Sequence, residues 1–518
     1  MKKFLALIIA VVLAVSGLSV ISITANAATI FISGNYEYTV NSDDTVNIAG
    51  YKGIATDITI PSQILNKNVV KISDNSFYNN STLTSVKIPN TIKVVGSMAF
   101  HNCTKLSKVT LPSNLTEIGY NAFEGTTALT TITIPKTVTT AGNNVFNGSA
   151  LKTAAIENGA TAVADNLFSN AKNLTKVTIP NTVKKVGSMS FYGCKSLSSV
   201  TLPNTLTEIG YSAFNGTTAL TTITIPKTVT KAGIDVFEDS ALKTATIENG
   251  ATAVADNLFS NAKNLTKVTI PNTVKKVGSM SFYGCKSLSS VTLPNTLTEI
   301  GYSAFNGTTA LTTITIPKTV TKAGSDVFED SGLKTAIIEN GATSVPNNLF
   351  SKATNLTQIT IPNTVKKIGS MSFYDCTKLS SVTLPNTLTS IETSAFKNCQ
   401  AMKSITIPKS VTYFGTTAVG YSDGRVIDGF IIYGYKNTKA QTYATKNKII
   451  FKALQEETVP VGDINNDGKI DVSDVTYLQM YLSGNSSYVI KNTKAADANG
   501  DGKIDVADVT KIQTIIAS

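Results

Sequence analysis

The chain has 518 residues, with 45 lysines and arginines against 34 acidic residues, for a formal net charge of +11. It contains one histidine, His101, and no tryptophan. A Ser-His or Cys-His catalytic constellation could therefore be built only once, and the largest aromatic platform for stacking on sugars is missing.

The N-terminus carries the pattern of an export signal. Two lysines precede an apolar run over residues 4–20, and Ala25-Asn26-Ala27 is a small-x-small cleavage site. This order predicts a secretory signal peptide over residues 1–27, with the mature chain beginning near Ala28. The alternative is an uncleaved membrane anchor, because the run is long enough to cross a bilayer; no second such run follows. We therefore expect a secreted, extracellular protein with no transmembrane segment in the mature chain and no nucleic acid as a partner.

Residues 28–57 predict a β-hairpin. Apolar and polar residues alternate from Tyr36 to Val40 and again from Thr45 to Tyr51. Such alternation is typical of strands with one buried face. We expect the hairpin to cover the first coil of the array that follows.

Residues 58–424 form a repeat array whose period is counted from an Ile-Pro or Leu-Pro dipeptide. The dipeptides run from Ile60-Pro61 to Ile407-Pro408, and Ile-Glu takes their place at Ile156, Ile247 and Ile338. The spacing is about 22 or 23 residues after a longer first step, a period that predicts leucine-rich-repeat-like coils. A larger unit of about 91 residues, or four coils, is repeated nearly verbatim along the array.

One coil shows how the array folds. Leu174, Val177 and Ile179 are predicted to point inward from a short strand that Pro180 ends, because proline cannot donate to a strand ladder. The further inward groups of this coil are predicted at Val183, Val186 and Phe191, with Gly187 at a bend. Because no coil buries its apolar edge alone, we expect a β-rich solenoid of short parallel strands, with about 16 coils stacked roughly 4.8 Å apart into a rod of about 70 Å.

The repeat resembles the BspA-like leucine-rich repeat family over residues 58–424. The resemblance implies a cap at each end of the solenoid, which residues 28–57 and 425–455 would form. Within the C-terminal cap the predicted order is strand, helix and strand, over residues 431–435, 438–446 and 449–451.

Five cysteines lie in the array, at Cys103, Cys194, Cys285, Cys376 and Cys399. The first four recur once per block, about 19 Å apart, which is too far for a disulfide. We predict that they are buried small hydrophobes. Cys376 and Cys399 lie one coil apart, so a disulfide between them stays an alternative.

Tyrosines also recur once per block. One set follows Ile-Gly, at Tyr120, Tyr211 and Tyr302, and the other follows Phe, at Tyr192, Tyr283 and Tyr374. Rings on a regular surface could stack on sugars. We favour packing at the coil edges, because block duplication explains the repetition without selection for a site.

No catalytic constellation stands out. Glu117, Glu157, Glu208 and Glu248 recur along the array and form no unique pair of the kind that glycoside hydrolysis requires. We predict that the chain is not an enzyme and keep a polysaccharide-active enzyme as the least favoured alternative.

The C-terminal segment contains one twelve-residue pattern twice. It has oxygen side chains at positions 1, 3, 5, 9 and 12, glycine at position 6 and a backbone carbonyl at position 7, which is the donor set of an EF-hand-type calcium loop. Four carboxylates within each copy repel one another unless a divalent cation lies between them. We predict two Ca²⁺ ions, held by Asp463, Asn465, Asp467, Lys469, Asp471 and Asp474, and by Asp497, Asn499, Asp501, Lys503, Asp505 and Asp508. Position 12 is Asp rather than Glu, residues 456–462 predict an extended linker, and helical runs begin near Val475 and Val509.

This duplicated loop and helix, over residues 456–518, resembles the type I dockerin of cellulosomes. The resemblance implies a small all-α, EF-hand-like module that docks onto a cohesin domain of a scaffoldin. It also implies cohesin-contacting residues at Val472, Ser473, Gln479 and Met480 in the first copy, and at Val506, Ala507, Gln513 and Thr514 in the second. A pair of structural calcium sites without a partner is the alternative.

Together these features predict a secreted, non-catalytic, cellulosome-associated protein at the cell surface. The dockerin would attach a binding rod that recognises a polysaccharide, a cell or a protein. The alternative is a cell-surface adhesin anchored through its dockerin. The positive charge favours solubility over a dedicated patch for anionic polymers, because the lysines are spread through every repeat.

Overall fold

The computed structural model describes residues 29–455, 460–490 and 492–518. Residues 58–424 wind into coils that contribute short strands to two parallel series, and the described residues after 460 form a small helical module. The predicted fold class, a solenoid of short parallel strands with an all-α C-terminal module, is confirmed. The predicted signal peptide and residues 456–459 of the predicted linker lie outside the described residues.

A hairpin lies at the N-terminal end of the solenoid, as its alternating pattern predicts. β2 (Tyr36–Val40) and β3 (Val46–Tyr51) pair antiparallel, and β1 (Phe31–Ser33), which the sequence analysis missed, pairs antiparallel with β2. β3 then runs parallel to β6 (Lys67–Ile72) and so joins the hairpin to the coils. The two other strands of this end are β4 (Asp57–Thr59) and β5 (Gln63–Ile64).

The first strand series precedes the Ile-Pro or Leu-Pro position of each coil. Its buried Val and Ile alternate with exposed Thr and Lys, and neighbours pair in register, with Thr131 opposite Thr153 and Ile134 opposite Ile156. After β4 its strands are β7 (Ser85–Lys87), β9 (Lys108–Thr110), β11 (Thr131–Ile134), β13 (Thr153–Ile156), β15 (Lys176–Thr178), β17 (Ser199–Val200), β19 (Thr222–Ile225), β21 (Thr244–Ile247), β23 (Lys267–Thr269), β25 (Ser290–Val291), β27 (Thr313–Ile316), β29 (Thr335–Ile338), β31 (Gln358–Thr360) and β34 (Ser404–Thr406).

The second strand series follows the same position by a few residues. Each strand has two residues, and the second of them points inward in nearly every coil. After β6 its strands are β8 (Val94–Val95), β10 (Glu117–Ile118), β12 (Thr140–Ala141), β14 (Ala162–Val163), β16 (Lys185–Val186), β18 (Glu208–Ile209), β20 (Lys231–Ala232), β22 (Ala253–Val254), β24 (Lys276–Val277), β26 (Glu299–Ile300), β28 (Lys322–Ala323), β30 (Ser344–Val345), β32 (Lys367–Ile368), β33 (Ser390–Ile391) and β35 (Tyr413–Phe414).

A stack of buried phenylalanines runs through the coils from Phe77 to Phe396. Each ring lies nearly flat on the next, with centroids 4.9 to 5.9 Å apart, and Tyr51 of the hairpin covers the first ring at 5.5 Å. The inward residues predicted for the coil around Phe191 are all buried. Burying one such side chain stabilises the fold by about 1.5–3 kcal/mol, so the stack is a large part of the solenoid core.

Glycine at the bend of most coils allows close stacking. At Gly187 a Cβ atom would lie 2.6 Å from the backbone nitrogen of Asp165 and 2.6 Å from the carbonyl oxygen of Val163 in the preceding coil. The predicted bend is therefore a point where two backbones touch, and any side chain there would push the coils apart.

The five cysteines are all free and all buried, which confirms their prediction as small buried groups. Each thiol donates to a phenylalanine carbonyl of a preceding coil, as Cys194 does to Phe168 at 3.1 Å. The alternative disulfide is absent: Cys376 and Cys399 point to the separate carbonyls of Phe350 and Phe373.

The C-terminal end of the solenoid has the predicted order of strand, helix and strand. β38 (Ile431–Gly434) and β39 (Ile450–Ala453) pair parallel, and α1 (Lys439–Lys446) connects them. Ala440 and Ala444 of the helix are buried, and Tyr443 stacks on Phe414 at 4.6 Å. This end also contains a short antiparallel pair that was not predicted, β36 (Tyr421–Ser422) with β37 (Arg425–Val426).

The helical module has its own small core. Its helices are α2 (Val472–Leu482), α3 (Thr493–Ala496) and α4 (Val506–Ala517). Val475 and Leu478 of α2 pack with Val509 and Ile512 of α4. The helical runs predicted after the two loops are thus present, although Tyr481, counted with the apolar side of the first run, is 38% exposed.

Candidate metal centre

The first candidate calcium loop is closed by hydrogen bonds to its own acidic side chains. Both oxygens of Asp463 accept backbone N–H bonds, from Asp467 and from Gly468, each at 3.1 Å. Gly468 has φ +85°, a conformation that glycine adopts at little cost. The Oδ1 atom of Asn465 accepts from the Asp467 amide at 2.9 Å, and Oδ1 of Asp467 accepts from the Lys469 amide at 3.0 Å. The side-chain oxygens of alternate residues, Asp463, Asn465 and Asp467, therefore face the inside of one sharp bend.

Asp474, the last acid of the loop, connects the two ends of the loop through hydrogen bonds. Oδ1 of Asp474 accepts from the amides of Ile464 at 2.8 Å and Asn465 at 3.1 Å, while Oδ2 accepts from the Asp471 amide at 3.0 Å. Asp471 in turn begins α2, because its carboxylate accepts from the Ser473 amide. The Ser473 hydroxyl and amide that donate to Asp471 lower the pKa of that carboxyl.

The second loop, 34 positions later along the chain, has most of these bonds, except that Asp497 accepts from position 4 instead of position 5 and, among the described residues, the Ala498 amide makes no bond to Asp508. Asp497 accepts from the amides of Gly500 and Gly502 at 2.9 Å, and Gly502 has φ +84°. Asp508 accepts from the amides of Asn499 at 3.1 Å and Asp505 at 2.9 Å. The other predicted donors are equivalent too: the Oδ1 atoms of Asn499, Asp501 and Asp505 accept from the amides of Asp501, Lys503 and Ala507.

Burial and charge make each loop suited to a cation. Asp463 is 1% exposed, and Asp474 and Asp508 are fully buried. Of the ion pairs formed by the described residues, none includes these three carboxylates. A buried carboxylate without a counter-charge has a large desolvation free energy. The hydrogen bonds from the loop amides reduce this cost, and a bound cation would offset the rest.

The donor chemistry fits calcium. The predicted donors are all oxygens, and each carboxylate oxygen has two lone pairs, of which the loop amides take only one at Asp463 and Asp497. The described part of the chain contains no group of three or more Asp, Glu, His or Cys side chains already arranged to hold a metal ion. The backbone amides of each loop therefore hydrogen-bond to the same side-chain oxygens that would coordinate calcium.

A helix-capping role was missed in the sequence analysis. Asp471 and Asp505 are the N-caps of α2 and α4, and Asp474 and Asp508, three residues later, bond back to the cap amides. The Asp-x-x-Asp spacing is a form of the capping box and could have revealed this role. The same carboxylates thus start the helices and close the loops.

The predicted cohesin-contacting residues lie on the outer surface of the module. Val472 and Val506, the first residues of the two long helices, are 68% and 70% exposed. Ser473, Gln479, Ala507, Gln513 and Thr514 are also exposed, and Met480 is half-buried. Residues seven positions apart are about two turns apart on a helix, so each set of four shares one face.

The solenoid residues weighed as sites have mixed surroundings. Tyr192, Tyr283 and Tyr374 are half-buried, in line with edge packing. For Tyr120, Tyr211 and Tyr302 that expectation is wrong, since they are 60%, 47% and 48% exposed. A Cβ at Gly142 would lie 2.6 Å from the Cα of Tyr120, so the backbones of these two coils touch beside this exposed ring.

The acids and the histidine of the array have structural partners. Glu208 pairs with Lys185 at 3.0 Å, and Glu157 accepts from the Lys136 amide at 3.0 Å. His101 stacks on Tyr78 at 4.9 Å, and its Nε2 lies 3.3 Å from Glu124. These contacts join neighbouring coils.

Comparison with known proteins identifies both parts of the chain. The sequence model of the BspA type leucine rich repeat region matches residues 55–174, 161–289, 252–355 and 343–424, and that of the dockerin type I domain matches residues 461–516. Both predicted resemblances are confirmed. Leucine-rich repeats and dockerins are non-catalytic modules, and type I dockerin domains bind calcium. No curated protein matches the chain.

Solved structures of leucine-rich repeat proteins are similar to the array. A leucine-rich repeat protein from Bacteroides ovatus is 25% identical over 82% of this chain and 100% of that one, with a TM-score of 0.48. A leucine rich cell surface protein from Faecalibacterium prausnitzii is 30% identical over 65% of this chain and 95% of that one, with a TM-score of 0.37.

Within the described residues, no helix has the length and apolar character needed to cross a membrane. The repeat matches extend over most of the chain. The protein therefore belongs to the BspA-type leucine-rich repeat family and carries a type I dockerin domain at residues 461–516.

Proposed function

We propose that the protein is a secreted, non-catalytic subunit of a cellulosome-like assembly at the cell surface. Its dockerin binds a cohesin domain of a scaffoldin in a calcium-dependent manner, and its solenoid is a rod that binds a further target. The observation that carries this proposal is the duplicated loop and helix, in which the last acid of each loop accepts from the amide three residues before it and both long helices begin with an exposed valine.

The dockerin holds two Ca²⁺ ions, one in each loop. In the first loop the ligands are side-chain oxygens of Asp463, Asn465, Asp467, Asp471 and Asp474 with the Lys469 carbonyl, and the second loop uses the equivalent residues from Asp497 to Asp508. The support is the oxygen-only donor set together with buried carboxylates that lack a cationic partner. Calcium would stabilise this bend and the two helices that begin in the loops.

The cohesin contacts the exposed starts and outer faces of α2 and α4. Valine leads both helices, and the later pair is Gln479-Met480 in one copy and Gln513-Thr514 in the other. Because the two faces are nearly equivalent, either can occupy one cohesin. The domain boundaries at residues 27, 57, 424 and 455 stay predictions, as does export through the N-terminal signal.

Capture by immobilised cohesins tests this function. The full-length protein is applied to cohesins from enzyme-bearing and from wall-anchored scaffoldins, in calcium and after chelation. We expect calcium-dependent retention on at least one cohesin from an enzyme-bearing scaffold. Retention only on wall-anchored cohesins would favour the anchored adhesin, and no retention on any cohesin would contradict the proposal.

A further inference from the structure

The first strand series is interrupted once in each four-coil block. β9 and β11, β17 and β19, and β25 and β27 are successive strands of this series, yet within the described solenoid no backbone hydrogen bond joins the members of any of these pairs. Within each block the other neighbours do pair, as β11 does with β13. Two facing strand edges therefore present N–H and C=O groups without main-chain partners.

The core valines are also more exposed at the interruptions than in strands with paired neighbours. Val86, Val177 and Val268, at the central position of strands with paired neighbours, are 1%, 5% and 5% exposed. The equivalent valines on the near side of the interruptions are only partly buried, namely Val109, Val200 and Val291. The core is thus less completely covered on the near side of each interruption, while Ile132, Ile223 and Ile314 on the far side stay buried.

A groove lies over each interruption, with volumes of about 640, 500 and 520 Å³. The first is lined by the hydroxyls of Thr131 and Thr133, by Pro135 and by Glu157, and the same residue types line the other two grooves 91 and 182 positions later. The carboxylate is fixed, because Glu157 accepts from the Lys136 amide at 3.0 Å. Lysines line only the first groove, so the second and third contain an acid and no base.

We propose that these three grooves bind a neutral polysaccharide chain. Sugar hydroxyls both donate and accept, which suits unpaired amides, carbonyls and threonine hydroxyls along a groove, and the CH face of a sugar ring suits the partly exposed valine. An anionic polymer is disfavoured by the glutamate of every groove and by the lack of lysines lining the second and third.

The same geometry excludes an inserted peptide strand. A strand placed between two others needs about 9.6 Å between them, twice the spacing of neighbours. Cα atoms of β9 and β11 approach within 8 Å, as do those of the other two pairs. The gap is therefore too narrow for a second backbone, and a ligand would contact the strand edges from the groove above them.

The spacing of the grooves favours a long ligand. Four coils at roughly 4.8 Å place successive grooves about 19 Å apart. A polymer that spans two or three grooves binds more tightly than a short oligosaccharide, because the later contacts become intramolecular. This inference deepens the rod's role as given under the proposed function, and it does not depend on the dockerin.

Affinity electrophoresis of the full-length protein through soluble mixed-linkage β-glucan, xyloglucan or galactomannan tests the inference. The groove variant carries Thr133→Arg, Thr224→Arg and Thr315→Arg, which places long side chains across all three grooves. The matched control carries Thr139→Arg, Thr230→Arg and Thr321→Arg, at exposed threonines of the same coils that line none of these grooves. Circular dichroism checks that both variants keep the fold of the parent.

We expect the parent to bind at least one neutral polymer, the groove variant to lose about tenfold or more in affinity, and the control to stay within about twofold. Binding should survive chelation of calcium, whereas capture by cohesin should not, so the failure of one proposal is distinguishable from the failure of the other. The inference is overturned by equal losses in the two variants, by binding of polygalacturonate alone, or by no retention in any neutral polymer.

Discussion

The solenoid and the dockerin module solve the problem of stability in opposite ways. In the solenoid a stack of fully buried phenylalanines continues from coil to coil, and each coil buries the apolar edge of its neighbour. The module buries few apolar side chains and places Asp463, Asp474 and Asp508 in its interior. We therefore expect the solenoid to fold without a ligand and the module to need calcium.

Removal of calcium should have the largest effect and should be confined to the module. Without an ion the buried carboxylates repel one another, and α2 and α4 lose the loops in which they begin. Hydrogen exchange of the full-length protein, followed by mass spectrometry, should show loss of protection in both helices after chelation and none in β11 to β25. Unchanged protection of the helices would contradict the calcium assignment.

Substitution of one loop acid should abolish calcium binding in one loop and leave the other loop intact. Asp474→Ala and Asp508→Ala each remove the acid that closes one loop, so calorimetry should count one Ca²⁺ ion in each variant and none in the double variant. Cohesin capture should survive either single change better than both together, since one intact copy remains.

Asp474→Asn is the control for helix capping, because its one side-chain oxygen can still accept from the Asp471 amide, although its NH2 group cannot replace the oxygen that accepts from Ile464. If one single substitution abolishes capture as fully as the pair does, the two copies do not act as equivalent docking faces.

In the solenoid the matched experiment removes a ring from the stack. Phe214 lies between Phe191 at 5.2 Å and Phe237 at 5.5 Å and is fully buried. Phe214→Ala should lower the free energy of unfolding by about 3–5 kcal/mol, because it leaves a cavity between two rings. Denaturant titration followed by tyrosine fluorescence or circular dichroism measures the change.

Tyr211→Ala is the control from the same coil, since this ring is 47% exposed. It should change the free energy of unfolding by no more than about 0.5 kcal/mol. A similar loss in both variants would mean that the stack is not the core of the solenoid, and loss of cohesin capture in either would link the two regions.

The coils could be predicted well from the sequence because the same period recurs in every block. A coil can bury residues such as Leu174, Val177 and Ile179 only against the equivalent residues of the next coil. The interruptions of the strand series could not be predicted in this way. Val109 and Val177 occupy the same place in the coil, and the segments Lys108–Pro112 and Lys176–Pro180 differ only in having Leu111 in one and Ile179 in the other. The exposure of Tyr120 and its equivalents was also missed, because repetition alone does not tell an exposed ring from a packed one.

The candidate site is more local and so more of it was predictable. Position and residue type along twelve residues decide where oxygens can meet, and the loops bend as the glycine at position 6 predicts. The sequence analysis missed that Asp471 and Asp505 also begin helices. The N-cap role was missed because aspartate is common both as a calcium ligand and as an N-cap, and the loop pattern already explained its presence.

Ionisation of thiols at alkaline pH should weaken the solenoid and not the module, because all five cysteines lie in the coils. Burial raises the pKa of the Cys103 and Cys399 thiols from 9.0 to about 12 and raises the pKa of the other three as well. The unfolded chain therefore releases these protons first. The stabilising effect is complete below pH 9 and is lost as pH rises toward 12, by about 1.4 kcal/mol per pH unit for each thiol.

Threonine provides the control for this prediction, because Thr126, Thr217 and Thr308 occupy the cysteine position in other coils and are fully buried there. In a variant with all five cysteines changed to threonine, the free energy of unfolding should fall less steeply between pH 9 and pH 10.5 than in the parent. Tyrosines and lysines titrate in both proteins, so the difference in slope isolates the thiols. Equal slopes would mean that the thiols ionise as readily in the folded solenoid as in the unfolded chain, which contact with the buried Phe168 and Phe259 carbonyls argues against.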